Sequence, residues 1–580
     1  MFMVTLKING ISVTVPEDYT ILQAAKEINI EIPSLCYLKD INCIGSCRVC
    51  VVELRERGRS RLVASCVYPV AEGMEVYTNT PAVRTSRRTT IELILSTHRK
   101  KCLSCVRGNN CELQKLAFDY GVDEDRFAEE EIKYRLDDLS PYIIRDNNKC
   151  IMCRRCTAVC NKIQTVGAIG EIARGYKVHI GCAFEKSLND VSCVGCGQCI
   201  VACPVGALNE KSNIDEVWDA IENPKKKVVV FTAPSIRATL GECFNMPIGT
   251  NAEGKMIAAI RRLGVDSVFN MDVTADLTIM EEATELLERI KHKDVLPMFT
   301  SCCPGWVKFV EHHYPDFIPN LSTCKSPQQM FGAVLKTYYA QKNGLNPKDL
   351  FVVSVIPCTA KKFECTREEE NAFEFTDVDV SLTTRELAKM IKGAGLKFTD
   401  LKNEDFDNPF ETATGAGAIF GATGGVMEAA LRTAAEVLDG SSAKVEFKEV
   451  RGTAGIKEAS YNLGGKKLKV AVASGLGNAR KLLDMIKSGE KEYHFVEVMA
   501  CPGGCVNGGG QPVQGDSVRN YVDLKALRAK ALYDADKKLK FRKSHQSPVI
   551  RMLYEEYFDA PGKHRAHRLL HTKYVKREKY

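Results

Sequence analysis

The chain has 580 residues, 45% of them apolar and 26% charged, with a formal net charge of +7 and 25 cysteines. Several domains with their own cores fit in that length. The mild charge carries no RNA- or DNA-binding signature, so nucleic acid is not an expected partner, and no apolar run reaches the length of a bilayer span.

The start, Met1-Phe2-Met3-Val4-Thr5-Leu6-Lys7, alternates like a strand; it reads as neither a signal peptide nor a twin-arginine leader. The cysteines cluster and repeat C-x2-C in a large chain, which favours metal thiolates in a reducing cytoplasm over disulfides.

Residues 1–80 begin with two alternating strands around Asn9-Gly10, a hairpin signal, followed by a helical stretch from Ile21 to Ile28. Cys47 and Cys50 form a C-x2-C pair with Cys36 and Cys66 on either side. This segment resembles a plant-type 2Fe-2S ferredoxin, a β-grasp fold. Cys43 competes with Cys47 as a ligand, and zinc is the rival metal.

Residues 81–126 hold His98, Cys102, Cys105 and Cys111 in an H-x3-C-x2-C-x5-C arrangement. One imidazole and three thiolates bind either zinc or a 4Fe-4S cluster. A place between two iron–sulfur modules favours the cluster.

Residues 140–211 contain an internal repeat, Cys150-Cys153-Cys156-Cys160 and Cys193-Cys196-Cys199-Cys203, each C-x2-C-x2-C-x3-C. In bacterial two-cluster ferredoxins the fourth cysteine of each run ligates the other cluster. Cys203 is therefore assigned with Cys150, Cys153 and Cys156, and Cys160 with Cys193, Cys196 and Cys199.

Residues 212–515 alternate short β-branched runs with helical stretches, as in α/β proteins. Three runs end in cysteine: one before Cys302-Cys303-Pro304-Gly305, one before Cys358, and one before Cys501, with Cys505 four residues on. In open α/β sheets ligands sit beyond the carboxyl ends of strands, so Cys303, Cys358, Cys501 and Cys505 are expected around one crevice. Thr278-Ile279-Met280-Glu281 reads as a capping box opening a helix that carries Glu282, Glu285 and Arg289 on one face. By spacing alone, that face is solvated and salt-bridged. Thr383-Thr384-Arg385-Glu386 is a second capping box. The glycines of 415–425 and 507–510 match no nucleotide motif, and are read as backbone approaching a bulky cluster closely. No nicotinamide, flavin or ATP site is visible, so electrons should pass through a protein carrier. Residues 516–580 are charged, helical and basic at the end: a solvated tail, a cover for the large domain, or a surface for an acidic ferredoxin.

Together, Thr300-Ser301-Cys302-Cys303-Pro304-Gly305-Trp306, Pro357-Cys358-Thr359-Ala360-Lys361-Lys362 and Met499-Ala500-Cys501-Pro502-Gly503-Gly504-Cys505 are similar to the three signatures of iron-only (FeFe) hydrogenases. The upstream modules match the long, single-chain, ferredoxin-linked members in kind and order.

The resemblance implies a multidomain α+β and α/β protein. Its parts are a β-grasp 2Fe-2S domain (1–80), a small His/Cys cluster domain (81–126), a two-cluster ferredoxin-like domain (140–211), a two-lobed α/β catalytic domain with the active site between lobes (212–515), and a helical extension packed on it (516–580). It implies the reaction 2H+ + 2e− ⇌ H2 at an H-cluster: a 4Fe-4S cluster on Cys303, Cys358, Cys501 and Cys505, joined through Cys505 to a two-iron unit with CO, cyanide and an azadithiolate bridge. One 2Fe-2S and three further 4Fe-4S clusters serve it. Ala233, Pro234, Ser235 and Lys361 match the groups that hold the cyanides, and Phe420 and Met499 match residues packing the pocket. Ile356 stands where the family usually has methionine. Cys302, Glu282, Ser322, Glu285 and Arg289, the last near the surface, match the proton relay.

Ferredoxin, H2, protons and the proteins that insert the two-iron unit are the implied partners of a monomer independent of membranes. Two other readings stay open: a catalytic subunit of a larger NADH- and ferredoxin-coupled complex, and a non-enzymatic iron–sulfur carrier or assembly protein. Cys43, Cys182, Cys243, Cys324 and Cys365 are left as free thiols.

Overall fold

A computed structural model describes residues 2–56, 58–123, 125–127, 133–371, 375–440 and 446–579. β1 (Met3–Ile8) and β2 (Ile11–Pro16) pair antiparallel about Asn9 and Gly10. Both turn residues have positive φ, as a tight hairpin requires. With β3 (Val51–Glu56), β4 (Arg59–Ala64) and β5 (Glu75–Tyr77) they make a sheet of order β2-β1-β5-β3-β4, in which only β1 and β5 run parallel. The helix Ile21–Glu27 starts at a Thr20/Gln23 capping box and buries Ile21, Leu22, Ala24 and Ala25 in the core of this β-grasp unit.

The helix Pro81–Ser96 leads to His98, and the helix Glu112–Asp119 starts at Cys111. Two small antiparallel pairs frame the cysteine repeat: β6 (Ile143–Arg145) with β9 (Leu208–Glu210), and β7 (Gly170–Ile172) with β8 (His179–Gly181).

The large part has two four-stranded sheets. The first, of order β11-β10-β13-β14, is wholly parallel: β10 (Lys227–Thr232), β11 (Ser267–Asn270), β13 (Leu350–Val355) and β14 (Val380–Leu382). Val228 to Phe231 are at most 3% exposed. Burial on both faces explains why these strands read as unbroken apolar runs rather than alternating ones. Each such side chain contributes about 1.5–3 kcal/mol of transfer free energy.

The second sheet, of order β12-β17-β16-β15, joins β12 (Met298–Phe299), β17 (Phe495–Met499) and β16 (Lys466–Ser474) in parallel, with β15 (Ile456–Leu463) added as a hairpin. Two sheets account for the expected two lobes.

The capping box at Thr383 is present, and opens the helix Thr384–Gly393. The one at Thr278 is not. That helix runs from Asp272 to His292, and the Thr278 hydroxyl donates to Thr274 O inside it. Val273, Thr274 and Leu277 are buried, and their packing carries the helix past the local start signal. Its 282–289 face is not solvated either: Glu282 is 1% and Arg289 8% exposed.

The C-terminal segment packs onto the large part instead of extending into water. In the helix Leu524–Lys538, Arg528 donates to both carboxylate oxygens of Glu242 at 2.8 and 2.7 Å, and to Val506 O. Arg432 grips Asp536 on the same helix at 2.9 Å. Among the described residues no helix is long and apolar enough to cross a membrane.

Candidate functional site

β12 delivers Cys303, β13 delivers Cys358, and β17 delivers Cys501 and Cys505, all just past the strands' carboxyl ends. The four line one closed cavity with Gly305, Ala360, Met499, Ala500, Gly504 and Gly508, and Cys196 of the cysteine repeat reaches the same cavity. Burial, then neighbouring sulfurs, push the Cys501 and Cys505 thiols well up, and the Cys358 thiol is raised to about 12. Converging buried thiols of this kind suit a polynuclear cation, whose charge offsets their desolvation.

Cys203 of the second run lies with the cysteines of the first. Cys150, Cys153, Cys156 and Cys203 line a second cavity. Burial raises the Cys199 thiol, and Cys196, Cys193 and Cys160 beside it raise it further.

In the β-grasp unit the Cys36 thiol is pushed down by hydrogen bonds from Cys47 and Cys66, and Cys50 bonds Cys66. Those four thiols are close enough to shift one another's proton affinity, while Cys43 is exposed. His98 is 8% exposed, its Nδ1 is buried without a partner, and burial lowers its proton affinity. A neutral ring with an orphan nitrogen fits a metal ligand. Cys102 is exposed, and Cys105 and Cys111 are half-buried.

A Cβ on Gly508 would stand 2.2 Å from Pro357 O, and one on Gly509 2.3 Å from Cys196 O. They let backbone approach backbone, bringing the Cys505 loop against the Cys358 and Cys196 loops, and Gly508 also lines the cavity of the four cysteines.

Around the cavity, Lys361 Nζ donates to both oxygens of Glu364 at 3.0 and 2.8 Å, and to Cys302 O at 3.1 Å. Burial opposes its charge, but Glu364 and the nearby thiols more than offset that and raise its proton affinity. Glu364 also accepts from Ser326 and Gln328. Its position three residues after Lys361, on one helical turn, was the available signal for it. Ala233, Pro234 and Ser235 follow β10, and Ala233 N donates to Val355 O at 2.9 Å. Ser235 is fully buried beside Gln511 Nε2. Phe420, Met499 and Cys302 share one apolar cluster, whereas Ile356 belongs to the neighbouring one with Val355 and Cys358.

The structure brings Cys302, Glu282, Ser322, Glu285 and Arg289 into one neighbourhood, with hydrogen bonds joining Ser322, Glu285 and Arg289. Cys302 is half-buried, and burial and then Glu282 raise its thiol. Neither Glu282 carboxylate oxygen has a hydrogen-bond partner. Burial, then the Glu285 charge, raise that carboxyl to about 8, and the nearby Ser301 backbone and Ser322 hydroxyl hold back the rise. Ser322 Oγ donates to Glu285 Oε2 at 2.8 Å, and Arg289 donates to Glu285 Oε1 at 2.6 Å. Arg289, expected near the surface, is 8% exposed, and its guanidinium also donates to the carbonyls of Pro319 and Leu321 at 3.2 and 2.8 Å. Cys324 and His571, which sequence reasoning left out, stand beside Glu285.

A strand-end crevice of thiols, reached by Cys196 of the cysteine repeat and with buried acids nearby, points to the class of iron–sulfur oxidoreductases. Within that class the chain belongs to the iron-only (FeFe) hydrogenases, which interconvert protons and H2. The pattern of the iron only hydrogenase large subunit, C-terminal domain, matches residues 226–509, and that of the iron hydrogenase small subunit matches 522–577. A 2Fe-2S iron-sulfur cluster binding domain matches 2–81, an NADH-ubiquinone oxidoreductase-G iron-sulfur binding region 87–126, and the ferredoxin-like domain of NADH-quinone oxidoreductase subunit 3 140–209.

The chain is 50% identical to the NADP-reducing hydrogenase subunit HndD of Solidesulfovibrio fructosivorans over 100% of both chains. It is 45% identical to iron hydrogenase 1 of Clostridium pasteurianum over 99% of this chain and 100% of that one. A solved structure of a variant of the apo FeFe-hydrogenase HydA1 of Chlamydomonas reinhardtii superposes with a TM-score of 0.57 at 40% identity, covering 63% of this chain and 99% of the other. The chain is thus a hydrogenase with an H-cluster domain and accessory 2Fe-2S and 4Fe-4S regions.

Proposed function

We propose that Cys303, Cys358, Cys501 and Cys505 would hold the 4Fe-4S part of an H-cluster, and that Cys505 would also hold its two-iron, azadithiolate-bearing part. When bound, that group supplies the metal and the amine base at which two protons and two electrons interconvert with H2.

The chain's own residues grip and serve it. Lys361, kept charged by Glu364, would hold anionic cyanide ligands by charge-assisted hydrogen bonding, and Ala233, Pro234 and Ser235 would hold the group as well. Phe420, Met499 and Ile356 pack around it and keep water out. Cys302 Sγ exchanges the proton with the Glu282 carboxyl, which passes it through Ser322 Oγ to the Glu285 carboxylate. A carboxyl near 8 with no fixed partner is suited to both taking and giving a proton near neutrality.

One 2Fe-2S cluster (Cys36, Cys47, Cys50, Cys66) and three 4Fe-4S clusters complete the wiring. The 4Fe-4S ligand sets are His98 with Cys102, Cys105 and Cys111; Cys150, Cys153, Cys156 and Cys203; and Cys160, Cys193, Cys196 and Cys199. The domains are 1–80, 81–126, 140–211, 212–515 and 516–580. Exposed Arg99, Lys101 and Leu103 beside exposed Cys102 suit an acidic ferredoxin as the electron partner of a cytoplasmic, monomeric enzyme whose two-iron unit is delivered by maturation proteins.

The observation that carries the reading is the single cavity shared by four strand-end cysteines and Cys196. Infrared bands of CO and cyanide on the matured protein test it. In the same preparation, Cys302→Ala should stop H2 evolution with iron content near normal; full activity would remove Cys302 from the relay. End-to-end 50% identity with a subunit named as NADP-reducing favours a second reading, a catalytic subunit within a nicotinamide-linked complex. Nicotinamide-dependent H2 production, absent from the isolated chain and present in a co-purified assembly, decides for it.

A further inference from the structure

On the relay reading above, a proton arriving at Glu285 still has to reach water. Arg289 does not take it there. Its guanidinium is held by Glu285 and by the carbonyls of Pro319 and Leu321, and a guanidinium does not release a proton in protein. It closes that side of Glu285.

The other side is open to a titratable ring. His571 comes from the C-terminal extension, where the chain bridges to Cys324 in antiparallel register and Thr572 N donates to Thr323 O at 2.8 Å. A ring nitrogen of His571, a carboxylate oxygen of Glu285 and Cys324 Sγ all lie within 4.8 Å of one another, a gap that one water spans. The ring is aimed by two contacts: Nδ1 lies 2.7 Å from Thr323 Oγ1, and Nε2 lies 3.2 Å from Glu281 Oε2. Glu281 is fixed in turn by Tyr554 Oη at 2.6 Å and Gly562 N at 2.8 Å. Beyond it, the ring of His571 stacks on that of His567, with centroids 4.6 Å apart and planes at 15°. His567 is exposed.

We propose that His571 is the outlet of the proton relay, taking the proton from Glu285 and delivering it to water beside His567. Imidazole accepts at one nitrogen and releases from the other, which a guanidinium cannot do. Burial and the adjacent His571 lower the proton affinity of His567, so the outer ring releases to solvent rather than trapping the proton. In H2 evolution the same groups run inward. The C-terminal extension then supplies a working group to the reaction, not only a cover.

The test uses the matured holoenzyme with His571→Ala, His571→Gln and Glu285→Gln, assayed for H2 evolution from reduced viologen with iron content and infrared bands as controls. His571→Ala and His571→Gln should keep the bands and lose turnover by about tenfold or more at unchanged KM for viologen. Free imidazole should restore a large part of the loss in His571→Ala, where the ring's space is vacant, and little in His571→Gln. Turnover of His571→Ala within about twofold of wild type, or a loss that imidazole does not restore, overturns the proposal. If His571→Ala fails to retain iron, His571→Gln decides, because it keeps hydrogen bonds to Thr323 and Glu281; full activity there overturns it. An active Glu285→Gln would remove the relay reading itself. An inactive Glu285→Gln beside a fully active His571→Ala would remove the outlet alone.

Discussion

Replacing Glu282 by glutamine should stabilise the protein while disabling it. The carboxyl is wholly buried without a partner, and burial followed by the Glu285 charge moves it from 4.5 to about 8. Unfolded, this group loses its proton near 4.5; folded, it keeps the proton to about 8. The folded state therefore binds the extra proton between those values. Stability from this group is fully present below 4.5, falls as pH rises through the window, and is level above about 8. At pH ~7.5 about three pH units separate the unfolded value from the solution, so the cost is on the order of 4 kcal/mol at ~1.36 kcal/mol per unit. Glutamine has no charge to desolvate. Glu282→Gln should thus gain on wild type as pH rises towards about 8 and hold its gain above that, while H2 evolution falls by about a hundredfold or more because an amide does not pass a proton. Thermal unfolding of both matured proteins between about pH 5 and pH 9, with viologen-driven H2 evolution, measures the two effects. A stability difference that is flat or shrinks with rising pH, or undiminished turnover, would refute the reasoning.

Cys203→Ala should abolish the cluster of Cys150, Cys153 and Cys156 and leave that of Cys193, Cys196 and Cys199, whereas Cys160→Ala should do the reverse; paramagnetic resonance of the reduced proteins distinguishes the two losses. Gly509→Ala would set a methyl 2.3 Å from Cys196 O and 2.5 Å from Gly197 Cα. Both neighbours are backbone, so the cost should be about 1–3 kcal/mol. The variant should melt lower and deliver electrons to the catalytic centre more slowly in stopped-flow reduction.

The ligand cysteines were legible because clusters impose their spacing on a short stretch of chain, and because buried parallel strands ending at one sheet edge must point their loops into one crevice. Cys203 lies with Cys150, Cys153 and Cys156, and Cys160 near Cys193, Cys196 and Cys199. Local signals failed where packing outweighed them. Thr278 had the chemistry of a cap, yet burial of Val273 and Leu277 extended the helix through it. The spacing of Glu285 and Arg289 correctly gave an ion pair, but not its burial, because the chain that covers it comes from Pro319–Leu321 and from His571. Contacts between residues so far apart leave no periodic trace. His571 looked like one basic residue in a tail, and only the folded chain sets it against Glu285.

In the proposed assignment, the four thiols of the catalytic centre come from three strand ends, whereas each accessory set is gathered within one stretch of chain. Chains leave the ribosome N-terminus first. The relay thiols can accordingly be metallated as each module emerges, while the hydrogen-forming centre has to wait until β17 is laid between β12 and β16. A nascent or truncated polypeptide would carry the conductors without the terminal they feed, and the order of translation alone would keep an exposed, half-built reaction centre from forming early.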